Sequence, residues 1–562
     1  MSDFDEMFDW VVIGSGAGSF SSALVMRQAG KSVTILEKTQ YIGGTTAKSG
    51  GVMWVPANSF MARDGDPDSV DRAMEYLDAL QELDGKPAPG TNREKRLAYF
   101  ENAPRMIDFL VDQGIELERG PAVWPDYYDE QPGSCKTTRT IVARPFDRKE
   151  LRDAADKLRK GFAEANVTLS DGMKMGHSRT NPDAKKILAK VALRTIRDKL
   201  LGKRYTTAGA ALQGRMLKAA LLAGVDIRNN TAVKEIILEN GRVTGVVAMK
   251  DGKPWRVGAR LGVLVNAGGF AQNQAMRDKY MPGTRAEWSQ TPEGDTGDMH
   301  VELERIGAVL AQMDQAVGYQ MTLAPGWQDA YIAPGAQGTT GKPHAILVDQ
   351  GGERYMNEGG SYELYCENMR IRNRTVPAIP SYAIVDSQYT ARYQVAGKFI
   401  DKKIPKGWVE SGYLHKADSI EGLARSIGVD PAKLSATVDR WNGFVANGMD
   451  EDFHRGERDY DNCGFVGDPF SGDSPLGSIS EGPFYAVPIT PGDVSTYGGV
   501  LIDARGRVLQ EDGEPIEGLY ATGTTTASVM GNVYPGAGAS IGPSATFGYI
   551  AARDAANLDN QA

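Results

Sequence analysis

Cysteine and histidine are both scarce in this sequence. Its 562 residues contain five histidines and three cysteines, Cys135, Cys366 and Cys463. An odd number of widely spaced cysteines gives neither a disulfide framework nor the closely spaced ligands of a zinc site. We therefore expect no bound metal, and we expect the chain to work in a reducing compartment, the cytoplasm.

The chain also lacks an excess of positive charge, a long apolar run and a basic N-terminal segment. Its formal net charge is −9, whereas nucleic acid binding requires a basic surface. No apolar run reaches the roughly 18 residues of a membrane-spanning helix, and MSDFDEMFDW is acidic where a signal peptide is basic. We expect no nucleic acid partner and no spanning segment.

The clearest pattern that is present is an N-terminal strand–turn–helix–strand unit. In DWVVIGSGAGSFSSALVMRQAGKSVTILEK, an apolar strand at 11–13 leads into Gly14, Gly16 and Gly18, and a helix and second strand follow, ending at Glu37. Glycines in such a turn let a diphosphate approach the helix N-terminus, and the acidic residue accepts hydrogen bonds from ribose hydroxyls. The unit predicts a bound dinucleotide.

Three further glycine-rich segments favour FAD over NAD. YIGGTTAKSGGVMWVP, after Glu37, is the kind of loop that wraps a flavin diphosphate, and the strands in 261–270 and 516–523 end in glycine turns that return to the same nucleotide. We expect these residues to contact FAD: Gly14, Gly16, Ala17, Gly18, Glu37, Lys38, Gly43, Gly44, Thr45, Ser49, Gly50, Gly51, Val233, Ala267, Gly268, Gly523, Ser540 and Ile541.

This layout resembles the FAD-dependent fumarate reductase and succinate dehydrogenase flavoprotein superfamily. The resemblance implies an α/β chain in which a discontinuous Rossmann-type FAD-binding domain, 1–315 and 493–562, carries an inserted α+β catalytic domain at 316–492, with a basic insertion near 155–205. The loop GGTTAKSGG lacks the histidine to which the succinate enzymes attach flavin, so the FAD is expected to be non-covalent.

Fumarate chemistry itself does not suit the sequence. Dicarboxylates are held by arginine and histidine, but the five histidines are scattered and the loop after GLYATG contains neither residue type. The substrate site is therefore expected to be neutral and apolar.

Tyrosines stand in three short motifs instead: WPDYYDEQPG, GGERYMNEGGSYELY and YPGAG. Together with EKTQYIGGTTAKSGG and IEGLYATGTTTASVMGNVYPGAGASIGPSATFGYIAA, these resemble the 3-ketosteroid Δ1-dehydrogenases over most of the chain. The resemblance implies that Tyr362 is the base, assisted by Tyr127, and that Tyr534 and the backbone N–H of Gly538 bind the substrate carbonyl. Ala537 stands where the family usually has proline.

The implied reaction introduces a C1–C2 double bond into a 3-ketosteroid. Tyr362 takes the C2 proton, a hydride leaves C1 for flavin N5, and Tyr534 and Gly538 stabilise the C3 oxyanion. A phenol, with a pKa of about 10, is closer to the acidity of that proton than a carboxyl group, with a pKa of about 4. An external acceptor, for example a quinone, is expected to reoxidise the flavin.

Two alternatives stay open. Within the superfamily, a Δ4-(5α)-3-ketosteroid dehydrogenase or another fumarate-reductase-like enone oxidoreductase would use the same cofactor on a different bond. A flavin electron carrier with no substrate of its own is the alternative from another class. Product analysis and flavin bleaching by a 3-ketosteroid separate these.

The segment KKILAKVALRTIRDKLLGKR, 185–204, carries eight basic residues and one acidic residue, Asp198. On a helical wheel Lys186, Lys190, Arg194, Arg197 and Arg204 share one side, next to a stripe of Leu193, Ile196 and Leu200. The segment predicts either a solvated surface helix or a peripheral contact with the inner face of the cell membrane.

Overall fold

A computed structural model describes residues 3–121, 124–161, 163–472 and 475–558. The fold is mixed α/β, with parallel and antiparallel sheets. In chain order the strands are β1 (Glu6–Ile13), β2 (Val33–Leu36), β3 (Met53–Trp54), β4 (Leu117–Arg119), β5 (Thr140–Ala143), β6 (Phe146–Asp147), β7 (Tyr205–Thr206), β8 (Asp226–Arg228), β9 (Val233–Glu239), β10 (Arg242–Lys250), β11 (Lys253–Val265), β12 (Leu310–Ala311), β13 (Ala316–Met321), β14 (Ala345–Val348), β15 (Ser381–Val385), β16 (His415–Ala417), β17 (Phe484–Thr496), β18 (Gly499–Val500), β19 (Arg507–Leu509) and β20 (Pro515–Ala521).

The α-helices of the described residues lie between and after these strands. In chain order they are α1 (Ala17–Gln28), α2 (Gly44–Lys48), α3 (Ser59–Arg63), α4 (Val70–Asp84), α5 (Arg93–Asp112), α6 (Leu169–Gly176), α7 (Ala184–Leu200), α8 (Ala208–Leu222), α9 (Gln274–Tyr280), α10 (Asp298–Arg305), α11 (Gln337–Thr340), α12 (Tyr362–Arg372), α13 (Ser387–Arg392), α14 (Ile420–Ile427), α15 (Pro431–Asn447) and α16 (Ile541–Ala555).

The larger sheet has a parallel centre in the order β8-β2-β1-β11-β20. Val12 of β1 lies beside Ile35 on one side and Leu264 on the other, and all three are fully buried. Continuous apolar runs of this kind are typical of a parallel sheet covered on both faces. The expected β–α–β unit is confirmed as β1, α1 and β2. The strands expected in 261–270 and 516–523 are also present, as the last part of β11 and as β20.

The second sheet is antiparallel and has β17 at its centre, with β13 and β15 as neighbours. Its side chains alternate between two cores, as the two-residue period of a strand requires. Ile346 and Val348 pack with Trp441 of α15, whereas Leu347 packs with Met369 of α12. The sheet thus carries α12 on one face and α15 on the other.

The two ends of the chain meet where α1 packs on α16. A Cβ on Gly18 would lie 2.3 Å from the Ser544 carbonyl oxygen, and one on Gly548 would lie 2.3 Å from the Gly18 carbonyl oxygen. Only glycine permits this close approach of two helix backbones. The contact fixes the C-terminal segment beside the turn after β1.

The basic segment 185–204 folds mainly as α7, which ends at Leu200. Arg204 therefore lies beyond the helix, and Arg194 faces α6, where it pairs with Asp171 at 3.1 Å. The positions of Arg194 and Arg204 therefore differ from those on the helical wheel, which treated 185–204 as a single helix with both residues on its basic side. Within the described ranges, no helix combines the length and apolar character that crossing a bilayer requires.

Candidate active site

A cavity of about 430 Å³ opens at the carboxyl ends of the parallel strands. Gly14 follows β1, Ala267 follows β11 and Gly523 follows β20, and all three line it. This edge is where open α/β sheets bind ligands. Of the residues expected to contact FAD, the following line the cavity: Gly14, Gly16, Glu37, Lys38, Gly44, Thr45, Ser49, Gly50, Gly51, Val233, Ala267, Gly268, Gly523, Ser540 and Ile541.

Three residues of the expected set are not in the cavity wall. Ala17 is buried at the start of α1, and Gly18 serves the packing of α1 on α16. Gly43 lies beneath the wall with φ +114°, and its N–H donates to Ser15 Oγ over 2.9 Å. Ala17 and Gly18 thus belong to the start of α1, and Gly43 immediately precedes α2.

The walls at one end of the cavity are mostly backbone. Gly14 has φ +91°, and a Cβ there would lie 2.3 Å from the Asn266 carbonyl oxygen; Gly51 has φ +64°, and a Cβ there would lie 2.5 Å from the Gly209 nitrogen. Backbone this close leaves room for a flat or extended ligand and offers it N–H and C=O groups.

Acidic side chains face the same end. Glu37 accepts hydrogen bonds from Ser15 Oγ at 2.6 Å and from the Thr39 N–H at 2.9 Å, and its carboxylate lines the cavity. The buried Asp295 accepts from the Gly269 N–H, but its Oδ2 has no partner within the described residues. Burial raises the pKa of Asp295 to about 6. Such acceptors suit ribose and ribityl hydroxyls, so the residues present fit a flavin dinucleotide.

Phenols gather at the other end. The ring centroids of Tyr127 and Tyr362 are 5.4 Å apart, those of Tyr362 and Tyr534 are 5.5 Å apart, and those of Tyr127 and Tyr534 are 6.0 Å apart. All three tyrosines line the cavity, as does Gly538. The structure thus brings together the four residues expected to be catalytic, although they are separated by up to 411 positions in the chain (538 minus 127).

The loops that carry Tyr127 and Tyr534 are bonded to each other. The Tyr127 N–H donates to the Pro535 carbonyl over 3.0 Å, and the Tyr76 hydroxyl donates to the same oxygen over 2.8 Å. Beside Tyr127, the buried Asp126 carboxylate accepts from Trp54 Nε1 and from Arg139, each at 2.7 Å. These bonds hold Tyr127 and Tyr534 in a fixed position relative to each other.

Tyr362 is held by the start of a helix. It is the first residue of α12, and the preceding Ser361 caps the helix by accepting the Leu364 N–H over 3.3 Å. A Cβ on Gly318 of β13 would lie 2.6 Å from the Tyr362 carbonyl oxygen. Glycine at 318 therefore lets the helix start rest directly on the second sheet.

Tyr534 and Gly538 lie in the turn before α16. Ser540 is at the N-cap position but does not cap the helix, and its Oγ lies 3.1 Å from the Tyr534 hydroxyl oxygen. Gly538 has φ +88°, and a Cβ there would lie 2.2 Å from the Val52 carbonyl oxygen. The turn brings the Gly538 N–H close enough to Tyr534 to favour its anion slightly.

The pKa values of all three phenols are raised above the usual value of tyrosine. Burial raises the pKa of Tyr362 and of Tyr127 well above the usual value, and at Tyr362 the neighbouring phenols raise it further. Burial also raises the pKa of Tyr534, against the opposing effect of hydrogen bonds from Ser540, Tyr362 and Gly538. The Tyr127 hydroxyl has no partner of acceptable geometry within the described residues, although Tyr362 is close enough to affect its pKa. Tyr127, expected to assist Tyr362, is thus in close contact with it here.

Several cavity residues escaped the sequence interpretation. Trp124 stacks on Phe465 with ring centroids 6.1 Å apart, and both line the cavity. Tyr460, outside the cavity lining, packs on Tyr127 with ring centroids 4.5 Å apart. Lys48 and Arg159 also line the cavity, which is therefore not neutral throughout. Lys48 belongs to the loop that was expected to bind flavin, so a positive charge in the cavity wall could have been predicted from the sequence. No local pattern marked Tyr460, Phe465 or Arg159.

Comparison with known proteins gives concordant matches. The family described as "FAD binding domain" matches residues 9–541. The 3-oxosteroid 1-dehydrogenase of Mycolicibacterium smegmatis is 36% identical, with 98% of this chain and 97% of the relative covered. The 4-oxocyclohexanecarboxylate 2-dehydrogenase of Sinomonas cyclohexanicum is 32% identical, with 97% and 92% covered.

A solved structure is similar over the full length. The crystal structure of 3-ketosteroid Δ1-dehydrogenase from Sterolibacterium denitrificans, in complex with 1,4-androstadiene-3,17-dione, superposes with a TM-score of 0.90 at 33% identity, covering 98% of this chain and 100% of that one. The chain therefore belongs to the FAD-binding flavoprotein family and, within it, to the family of the 3-oxosteroid 1-dehydrogenases. The resemblance drawn from the tyrosine motifs is confirmed, and FAD is the cofactor of this fold.

Proposed function

We propose that this protein is an FAD-dependent oxidoreductase that introduces a C1–C2 double bond into 3-ketosteroids. The observation that supports this most strongly is the cluster of three phenols and the Gly538 amide at one end of a cavity whose other end suits a flavin dinucleotide. A neutral donor set fits a ketone, and the aromatic wall of Trp124 and Phe465 fits an apolar ring system.

Each polar group has a distinct proposed role. The hydroxyl of Tyr534 and the N–H of Gly538 donate to the C3 oxygen of the substrate, where negative charge develops as the C2 proton leaves. Donors held in place in a water-poor site are the usual source of such stabilisation. Tyr362 accepts the C2 proton, and Tyr127 keeps Tyr362 in position. FAD, when bound, supplies the acceptor for the hydride from C1.

The same proposal includes the arrangement of domains and cofactor contacts. The strands of the larger sheet all lie outside 316–492, which supports a discontinuous Rossmann-type FAD-binding domain with an inserted catalytic domain. β17 runs through the boundary expected at 492, so we place the end of the insertion after Thr496. The cavity-lining glycines and Glu37 are the proposed FAD contacts.

An anaerobic titration tests the activity. Androstenedione, testosterone, cholestenone and 4-oxocyclohexanecarboxylate are each added to the oxidised protein, and flavin absorbance is followed. Bleaching by steroids, with a product two mass units lighter that absorbs as a cross-conjugated dienone, is the expected result. These three steroids already contain the C4–C5 double bond, so 5α-androstane-3,17-dione is incubated separately, and a product of it desaturated at C4–C5 would make the protein a Δ4-(5α)-dehydrogenase. If no ketone bleaches the flavin, the protein would instead be a flavin electron carrier with no substrate of its own.

The relative from Sinomonas cyclohexanicum gives a second candidate. Its name describes dehydrogenation of a small cyclic ketone that bears a carboxylate. The cavity of this chain carries cations in its wall, so the fourth ketone of the panel has a physical reason to bind. Preference for that ketone over all three steroids would favour this candidate.

The pH dependence of flavin reduction follows from the proposed base. Because burial holds the pKa of Tyr362 well above its usual value, the phenolate is a minor form at neutral pH. The rate constant of reduction by androstenedione should therefore rise about tenfold per pH unit between roughly pH 7 and 9. Stopped-flow measurement checks this. A flat profile in that range would remove Tyr362 as the proton acceptor.

We propose further that α7 contacts the inner face of the cell membrane. Its outward side is apolar: Leu193 is 69% and Leu200 83% exposed, and Leu188 and Ile196 are exposed as well. Its inward side packs through the buried Val191 and, by the Arg194–Asp171 pair, on α6. Exposed apolar side chains on one helix face are unfavourable in water and favourable at a lipid interface.

The charges around this face match an anionic lipid surface. Five exposed cations border the apolar stripe: Lys185, Lys186, Lys190, Arg197 and Lys199. Each cation near an anionic leaflet contributes about 1 kcal/mol. A steroid dissolves in the same bilayer, and so does a quinone acceptor.

Liposome co-sedimentation with phosphatidylserine-containing vesicles tests the contact. The parent should sediment at low salt and be released at high salt, and Leu193→Gln, Ile196→Gln and Leu200→Gln together should abolish binding. The matched control replaces three exposed leucines elsewhere, Leu83, Leu221 and Leu222, with glutamine. Equal sedimentation of parent and both triple variants would leave α7 as a solvated surface helix.

A further inference from the structure

Two cations in the cavity wall have no carboxylate partner among the described residues. The cavity is lined by Lys38, Lys48 and Arg159. Lys38 pairs with Asp298 at 2.9 Å. Lys48 Nζ instead lies 4.8 Å from the ring centroid of Tyr331, and the Arg159 guanidinium lies 5.4 Å from that of Tyr41. A cation in a cleft without a counter-ion is expected to meet an anion there.

The two charges are close enough to affect each other. Burial, and then the positive charge of Arg159, lower the pKa of Lys48 to about 8, against the opposing effect of Glu293. The buried Nε of Arg159 also has no acceptor within the described residues. An arrangement that brings two like charges together is stabilised when a ligand of opposite charge binds between them.

The position of the pair indicates which part of a ligand it faces. Arg159 donates its backbone N–H to the Ile42 carbonyl over 2.9 Å and reaches Thr39 Oγ1 at 3.4 Å. Thr39 in turn donates to the Glu37 carboxylate. Lys48 ends α2, which starts at Gly44. Both cations are therefore tied to the nucleotide end of the cavity rather than to the phenols.

We infer that Lys48 and Arg159 form an electrostatic clamp for the diphosphate of FAD. The diphosphate is the part of FAD that carries full negative charge, and the N-terminus of α1 supplies only about half a positive charge against it. Two side-chain cations complete the neutralisation. The two cations come from different parts of the chain, Lys48 from the end of α2 and Arg159 from the segment bonded to Ile42, and both line the same cavity.

The test follows release of FAD from the holoenzyme, by flavin fluorescence after dilution, so it does not depend on turnover. Lys48→Met and Arg159→Met should each weaken FAD retention about tenfold or more, and the double variant should weaken it further. Release from the parent should accelerate with salt, and release from the double variant should respond less. Lys48→Arg keeps the charge and should behave as the parent.

Lys157→Met is the matched control, because Lys157 is exposed two residues from Arg159 and lies outside the cavity wall. Retention unchanged in both methionine variants would overturn the clamp. Unchanged retention with selective loss of flavin bleaching by 4-oxocyclohexanecarboxylate would assign the pair to a substrate carboxylate instead. If the methionine variants do not fold, salt-independent FAD release from the parent would overturn the clamp as well.

Discussion

Tyr534→Phe should keep FAD and the fold but lose about 100-fold or more of its rate of flavin reduction, because it deletes one donor to the developing oxyanion. The phenylalanine ring refills the space, and the loop stays bonded through the Tyr127 N–H and the Tyr76 hydroxyl to Pro535. The measurement is stopped-flow reduction by androstenedione at saturating steroid. Loss of rate with little change in the steroid concentration at half-saturation is expected.

Tyr497→Phe is the control for that substitution. Its ring lies 5.7 Å from that of Tyr534 and is equally buried, but Tyr497 does not line the site cavity. Deleting its hydroxyl tests whether any change in the buried phenol cluster slows the reaction. Equal losses in the two variants would mean that Tyr534 acts through packing, not as a donor to the ketone.

The nucleotide end of the cavity was predictable because its signals are local. Gly14, Gly16 and Glu37 lie within one β–α–β unit, so the backbone conformation that they need is encoded in adjacent residues. The tyrosine motifs were also visible, but their convergence was not. Long-range packing alone brings together Tyr127, Tyr362 and Tyr534. Their shared site was expected from the resemblance to known proteins, because their spacing in the sequence does not indicate it.

The parts missed by sequence interpretation depend on tertiary contacts. Arg159 faces the cavity because its backbone bonds to Ile42, far away in sequence. Tyr460 lies on Tyr127 because the Asp129 carboxylate accepts its N–H over 3.2 Å. The outward direction of the apolar face of α7 is set by the Arg194–Asp171 pair with α6. None of these contacts has a periodic or compositional signature.

The directions of the pKa shifts say more about how the tyrosines can act than their residue type does. A phenol was expected to suit the substrate proton better than a carboxyl group, but burial and the adjacent phenols both oppose the anion of Tyr362. Tyr534 has the hydrogen bonds that partly offset burial. The base proposed here, Tyr362, would therefore act from a small phenolate fraction, and its removal should cost a large part of the rate.

Tyr362→Phe should accordingly be the most damaging single phenol deletion. Loss of a positioned base costs about 100-fold to 10,000-fold in the proton-transfer step, and the variant should also lose the rise of rate with pH. Tyr127→Phe should lose only about tenfold, the value of one supporting interaction, and should keep that rise. Single-turnover flavin reduction over the pH series measures both quantities for each variant.

The two variants are matched in burial and chemistry. Both tyrosines are buried in the same cluster, and each loses one hydroxyl while its ring remains 5.4 Å from the other. A general loosening of the cluster would slow both variants alike and leave both pH profiles unchanged. If Tyr127→Phe is the slower variant and loses the pH dependence, Tyr127 is the base and Tyr362 supports it, because the group whose ionisation controls the rate is the one that takes the proton.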